Sequence, residues 1–271
     1  MLNKDGQLMK LGKKPAPKVP DPRNLKLADY LKKPAKKALP DPVVEASWIT
    51  KLAAAEPIPM YANDVLGDCV EAAAGHMIQQ WNFYAGHPWR PTDQDIIAAY
   101  SGATGYVPGD PTTDNGTDMP SFLKYWQKTG VGGHRILAYM TVDWTIPQEV
   151  QVAIQLFGNT FTGIQLPVFS QGKDDWTVPD GGVYSDAGQP GSWGGHGIPV
   201  VAGSQKTRTC ETWGTTLKMS DNFMLDYVDE MWAVLSSDWL STGKVSPGLI
   251  DLPHLESDLS DLGVLWKRVI A

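Results

Sequence analysis

Cysteine is almost missing from this chain: Cys69 and Cys210 are the only two in 271 residues. That excludes a disulfide framework and a zinc site of paired cysteine motifs. One Cys69–Cys210 bridge stays open as an option for an exported protein. Long apolar runs are missing as well. No stretch approaches the roughly 20 residues of a membrane-crossing helix. The opening "MLNKDGQLMKLGKKPAPKVPDPRNLK" has no apolar centre of the kind a secretory signal carries. The expectation is a protein used in the cytoplasm or carried in an assembly such as a virion, with no membrane partner. The glycine-rich stretches "GATG" and "DAGQPGSWGG" lack the strand–loop–helix setting and the lysine of a phosphate loop, so they read as turns. No metal and no cofactor are expected.

Basic charge is concentrated at one end. Residues 1–40 hold eleven Lys and Arg against three Asp, a net of +8; the whole chain is −7, so the remainder carries −15. This segment has repeated prolines and little apolar periodicity, a composition that does not fold alone. It reads either as a solvated tail or as an arm lying along an acidic partner protein or along the chain's own acidic body. Apart from Tyr30 it interleaves no aromatics with its charges, which argues against nucleic acid. Its few apolar anchors count against a pro-segment that blocks a cleft. The expected division is a basic extended arm over 1–42, a compact body over 43–240 and a semi-structured tail over 241–271.

Within the body, helical signals come first. "DPRNLKLADYLKK" suits a short helix from about Leu25 to Lys33, and "ALPDPVVEASWIT" reads as a connector ending in an extended stretch. From Cys69 to Phe83 the apolar residues Val70, Ala73, Ala74, Met77, Ile78 and Trp81 recur at helical spacing, with Gly67 or Asp68 at the N-cap. "TDQDIIAAYSGATG" is a second helix capped by Thr92 or Asp93. "MPSFLKYWQKTGVGG" is a third, with Pro120 in its first turn and Gly130 at its end. "PQEVQVAIQLFGN" is a fourth. Strand signals follow: "TFTGIQLPVF", "HGIPVVAGSQ", "TRTCETWGTTLKMS" and "DEMWAVLSSDWL". Helices followed by strands of one antiparallel sheet indicate an α+β architecture with two lobes.

Cys69 begins a helix, where the positive end of the dipole favours thiolate. A nucleophilic thiol also needs a base nearby. His76 is seven residues along the same helix, about 10 Å of rise away, and reads as a core residue. His87 and His254 sit beside prolines, and His134 follows two glycines. His196, in "GSWGGHGIPVVAG", stands at the mouth of a strand after a flexible loop, where its ring can reach toward another lobe.

This order of a Cys at a helix start, a helical lobe, a His at a strand start and a strand ending in "TWG" resembles the papain-like cysteine peptidases over about residues 45 to 240. "DNGTDMPSFLKYWQKTGV" and "EVQVAIQLFGNTFTGIQL" are similar to that family's mid-domain helix and its entry into the β lobe. The resemblance implies a papain-like two-lobed α+β fold, with an N-terminal helical lobe, a C-terminal antiparallel β lobe and the tails outside it. It implies Cys69 as nucleophile and His196 as its base. The family places a glutamine oxyanion donor six residues before the cysteine, and Asn63 stands there in "NDVLGDC". The family's orienting asparagine precedes Ser-Trp-Gly, and Glu211 stands there in "ETWG". Asn63 is one methylene shorter than glutamine but still a donor; losing one such donor typically costs about 10²–10³ in rate. Glu211 keeps an acceptor for the imidazole N–H. Strand alternation puts Cys210 in the core, opposite Glu211. It puts Trp213 on Glu211's face, where it either covers a His–Glu contact or only packs in the core. The expected function is a peptidase or amidase working through an acyl-enzyme on a peptide or amide in the interlobe cleft. The alternative is a structural or interaction protein that keeps this fold without catalysis, for example a phage virion component anchored by its tails.

Overall fold

A computed structural model describes residues 9–32, 47–204, 206–243 and 250–262. Helices α1 (Leu27–Tyr30), α2 (Ser47–Ala55), α3 (Cys69–Ala85), α4 (Asp93–Thr104) and α5 (Met119–Lys128) precede strand β1 (Ile136–Thr141) and helix α6 (Pro147–Phe157). Strands β2 (Thr160–Leu166), β3 (Asp175–Trp176), β4 (Gly194–Gly203), β5 (Thr207–Thr212) and β6 (Thr215–Ser220) follow. Helix α7 (Asp221–Tyr227), strand β7 (Val228–Ser236) and helices α8 (Ser237–Ser241) and α9 (Leu252–Asp261) complete the order. This is the helical-then-β, α+β arrangement expected. None of the described helices is long and apolar enough to cross a membrane.

Helix α3 is the spine. Every residue from Cys69 to Asn82 is buried, the polar ones included. It ends where Gly86 takes the left-handed conformation (φ 79°) and returns its N–H to the last turn. Two of its polar positions bond across the core. Trp81 Nε1 donates to Phe157 O at 2.9 Å, and Gln80 Nε2 donates to Gly158 O at 2.9 Å, so α3 is fastened to the end of α6. Helix α4 opens on a capping box formed by Thr92 and Asp95, and α5 has Asp118 accepting from Ser121 N with Pro120 in the first turn.

The sheet has seven strands in the order β1-β7-β2-β4-β5-β6-β3. All neighbours run antiparallel except the short β3, which lies parallel to β6. Strand β4 packs against α3, and the close approach is set by a glycine. A Cβ on Gly197 would sit 3.0 Å from Val70 Cα and 3.3 Å from Cys69 O. The register Ile164↔His196 fixes where His196 stands beside the helix start.

Several elements differ from the sequence expectation. Residues 47–55 form α2 rather than an extended stretch, because "SWITKLAAA" has helix-forming residues once the prolines are past; residues 33–46 lie outside the described residues. The helix expected over 25–33 is a single turn, Leu27–Tyr30. "TRTCETWGTTLKMS" is a two-stranded hairpin, not one strand. Thr212 pairs with Thr215, and Trp213 (φ 45°) with Gly214 (φ 73°) make the two-residue turn. Strand β1 and helix α7 had no counterpart in the reading. Helix α9 forms within the tail, with Pro253 in its first turn and Asp251 accepting from His254 N.

The two ends of the described chain meet. Leu31 bridges Ile250, Asp251 N donates to Tyr30 O at 2.8 Å, and Tyr30 Oη donates to Asp258 at 2.7 Å. The basic arm thus lies on this chain's own body over residues 9–32.

Candidate active site

The start of α3 and the mouth of β4 meet where the two halves of the molecule join. Cys69 Sγ accepts from Gly197 N at 3.4 Å, so the sulfur lies against the residue that follows His196. Cys69 is 1% exposed and His196 1% exposed. The imidazole is held from two sides. Its Nε2 shares a 2.6 Å hydrogen bond with Thr212 Oγ1, and its face stacks on Trp213 with ring centroids 4.0 Å apart and planes 10° apart. Its Nδ1 has no hydrogen-bond partner. Trp213 in turn stacks on Trp193, with centroids 5.7 Å apart. This sandwich holds a tryptophan in left-handed backbone, a conformation costly for a non-glycine residue.

Two expected roles are corrected here. The side chain bonded to His196 is that of the next residue, Thr212, and not that of Glu211. Because the hairpin turn begins at Trp213, simple alternation past Glu211 fails, and Trp213 reaches the imidazole through the turn. The Glu211 carboxyl is buried with Oε2 unpartnered, and burial raises it to about 8. Asn63, in turn, presents no free donor to the sulfur. Its Nδ2 donates to Leu66 O at 3.0 Å and to Asp68 Oδ1 at 3.3 Å, both in its own loop. An amide one methylene shorter than glutamine closes on its own turn rather than reaching across. Cys210 is in the core as expected, with its sulfur near Leu217 O, and both cysteines are free. His76 is a buried core residue against Tyr61.

What seals the thiol is the basic arm. Residues 9–14 run extended across Cys69 and His196 through main-chain bonds to both walls. Lys10 N donates to Asn63 O (3.0 Å), Thr117 N donates to Gly12 O (2.9 Å), Lys14 N donates to Thr117 O (2.9 Å) and Lys13 N donates to Gly195 O (3.1 Å). Trp213 Nε1 donates to Lys10 O at 3.2 Å. Gly12 lies at the narrowest point. A Cβ there would fall 1.8 Å from Gly67 O, and one on Gly116 would fall 1.8 Å from Gly12 O. Its amide faces the sulfur, and its carbonyl is turned to Thr117. Few apolar anchors had counted against a blocking segment, but this one is held by backbone bonds and lysines. Lys10 Nζ pairs with Asp114, which also takes bonds from Tyr100 Oη (2.7 Å) and Gly67 N (3.1 Å). Burial would raise Asp114, but those donors outweigh it and hold the carboxyl below its ordinary range. Lys13 pairs with Asp229 and Glu230.

Under the arm, burial favours the neutral forms of both the thiol and the imidazole. Burial pushes the Cys69 thiol up to about 12, against the pull of the Gly197 and Gly12 amides. Burial, with a smaller push from His76, takes His196 down to about 3. Among the described residues, no group of three or more His, Cys, Asp or Glu is placed to hold a metal ion.

Thr212, Asp114, Lys13, Asp229 and Glu230 were not singled out from the sequence. The signal for Lys13 lay in the charge imbalance, which pairs a basic arm with an acidic body; the others carried none beyond their residue type.

A thiol at the start of a central helix, an imidazole on the facing strand and a helical half joined to an antiparallel half define the fold of the papain-like cysteine proteases. Xylellain, a cysteine protease from Xylella fastidiosa, superposes with a TM-score of 0.62 at 13% identity, over 84% of this chain and 97% of that one. Procathepsin B S9 from Trypanosoma congolense does so with a TM-score of 0.57 at 9% identity, over 84% and 87%. No family model matches the sequence, and no curated protein is detectably similar to it.

Proposed function

We propose that this chain is a papain-like cysteine hydrolase that cleaves peptide or amide bonds, held here in an occluded state by its own residues 9–14. The supporting observation is the meeting of Cys69 Sγ with the Gly197 amide at 3.4 Å, beside an imidazole fixed by Thr212 and Trp213. With the arm displaced, water reaches the pair and the desolvation that keeps it neutral falls away. The proton then passes from Cys69 to His196, giving thiolate and imidazolium. The thiolate attacks the substrate carbonyl carbon. The Cys69 N–H, at the positive end of α3, faces the developing oxyanion. His196 returns its proton to the leaving amine, and water, deprotonated by His196, releases the acyl group. Thr212 orients the ring in the role that the resemblance gave to Glu211. Gly12 is not cut, because it offers the sulfur an N–H and not a carbonyl carbon.

A second reading has its own support: a structural or interaction protein that keeps the fold. Asn63 is engaged in its own loop, and the sulfur and ring are buried and neutral. A peptidyl epoxide reactive toward activated thiols separates the two. The hydrolase reading expects slow labelling of Cys69 in the native chain, faster labelling once Gly12→Val expels the arm, and loss of that gain on adding His196→Ala. It also expects cleavage of fluorogenic peptide amides by the Gly12→Val chain. A folded Gly12→Val chain whose Cys69 reacts no faster than in the native protein, and which cleaves nothing, leaves the scaffold reading.

A further inference from the structure

Lys13 is the most buried residue of the segment 9–14. Its side chain is fully buried. The ammonium is ringed by Asp229 Oδ1 (2.8 Å) and Oδ2 (2.9 Å), Glu230 Oε1 (3.0 Å) and Lys14 O (2.9 Å). The stem lies where β2 carries no side chain: a Cβ on Gly163 would stand 1.9 Å from Lys13 Cε. The two carboxylates are set by the body as well as by the arm. Trp232 Nε1 donates to Glu230 Oε2 at 3.0 Å, and Gln165 Nε2 donates to Asp229 Oδ2 at 2.7 Å. A slot walled by a glycine and floored by two oriented carboxylates has the shape and charge for a long, thin, cationic side chain. It opens one residue from Gly12, which faces the sulfur, and its main-chain partner Gly195 precedes His196.

We propose that this slot is a binding subsite for a lysine side chain, filled here by the chain's own Lys13, and that it selects peptides presenting lysine at that point of the cleft. That the selected peptide is a substrate rests on the hydrolase reading; the recognition itself does not. Two carboxyl groups facing one ammonium favour a cation over any neutral side chain of the same length. A buried carboxylate left without its cation is strongly disfavoured, so norleucine, which matches the stem but lacks the ammonium, is the sharpest comparison.

The test uses the full-length Gly12→Val chain, in which the clash with Gly67 clears the cleft and leaves the slot's residues untouched. A fluorescent peptide with the sequence of residues 9–14 is titrated by anisotropy against one with norleucine in place of Lys13. At least tenfold tighter binding of the lysine peptide is expected. The difference should disappear when Asp229→Asn and Glu230→Gln are added. Equal affinities, or no binding of either peptide, overturn the subsite. Where circular dichroism shows that Gly12→Val does not fold, the comparison is made within the chain: Lys13→Met should speed epoxide labelling of Cys69 severalfold and Lys13→Arg less so. An unchanged rate in Lys13→Met overturns the proposal. Anisotropy needs no turnover, so the two failures are distinct. Lysine-selective binding without cleavage sinks the hydrolase reading alone, and cleavage indifferent to lysine sinks the subsite alone.

Discussion

Thr212 and Glu211 are neighbours with opposite situations. The threonine hydroxyl is the hydrogen-bond partner of a buried imidazole nitrogen. Removing it leaves that nitrogen unsatisfied, at a cost of about 1–3 kcal/mol. Thr212→Val is therefore expected to lower the denaturation midpoint by a corresponding amount, and to slow epoxide labelling of Cys69 in the arm-expelled chain; Thr212→Ser should restore both. Glu211 works the other way. Burial raises its carboxyl to about 8, against an ordinary value of 4.5. The folded chain then keeps a proton that the unfolded chain releases, so this group's contribution to stability is present below about pH 4.5 and is lost as pH rises toward 8. Glu71, raised to about 8 by burial despite its bond from Thr117, adds a loss of the same sign. Glu211→Gln should raise the melting temperature relative to native protein more at pH 8.5 than at pH 4.5. Equal differences at both would show that the native carboxyl titrates as an exposed one does. At this scale the approach of Cys69 to the strand that carries His196 was legible from their order along the chain, a cysteine at a helix start followed by a histidine at a strand start. Thr212 was not, because its role depends on a turn that opens with a tryptophan in left-handed backbone, a residue no turn rule favours.

Helix α3 and strand β4 approach closely at Gly197. Gly197→Ala places a methyl 3.0 Å from Val70 Cα, so the helix must shift off the strand. The expected cost is about 1–3 kcal/mol. The shift also lengthens the contact between Gly197 N and Cys69 Sγ. A chemical denaturation curve reads the first effect, and the epoxide rate in the arm-expelled chain reads the second. Gly214 is the other sensitive backbone position. With φ at 73°, its replacement by alanine should cost about 1 kcal/mol and loosen the stack on His196; fluorescence of Trp213 would report the loosening. Helices α3 to α6 were legible from apolar spacing and from boundary residues such as Thr92, Pro120 and Gly130. Helix α2 was hidden by the prolines that precede it, and α7 by its length of seven residues, too short for two turns of periodicity.

The arm belongs to the whole molecule, because nothing local predicts its course. Its main-chain bonds can be made by almost any residue, so sequence pattern carries little trace of them; the net +8 of residues 1–40 facing −15 elsewhere left open a solvated tail, an arm on a partner and an arm on this body. It is pinned in the cleft by residues 9–14 and again over residues 25–31, which bond to Thr141, to Ile250 and Asp251 ahead of α9, and to Asp258 within it. A protease site engineered between Pro17 and Arg23 should change how the thiol responds to dilution. In the intact chain, the Cys69 labelling rate should not depend on protein concentration. After the cut it should rise as the protein is diluted. A rate that stays independent of concentration after cutting would mean that the severed piece does not dissociate.

The clasp between Tyr30 and α9 gives the short tether between the two pins a lasting effect. A lysine-bearing loop that slips out of the groove is still leashed within a few nanometres of it, at an effective local concentration in the millimolar range. It therefore rebinds before a scarce competitor arrives. An outside peptide wins the groove only when it is very abundant, or after the leash has been severed.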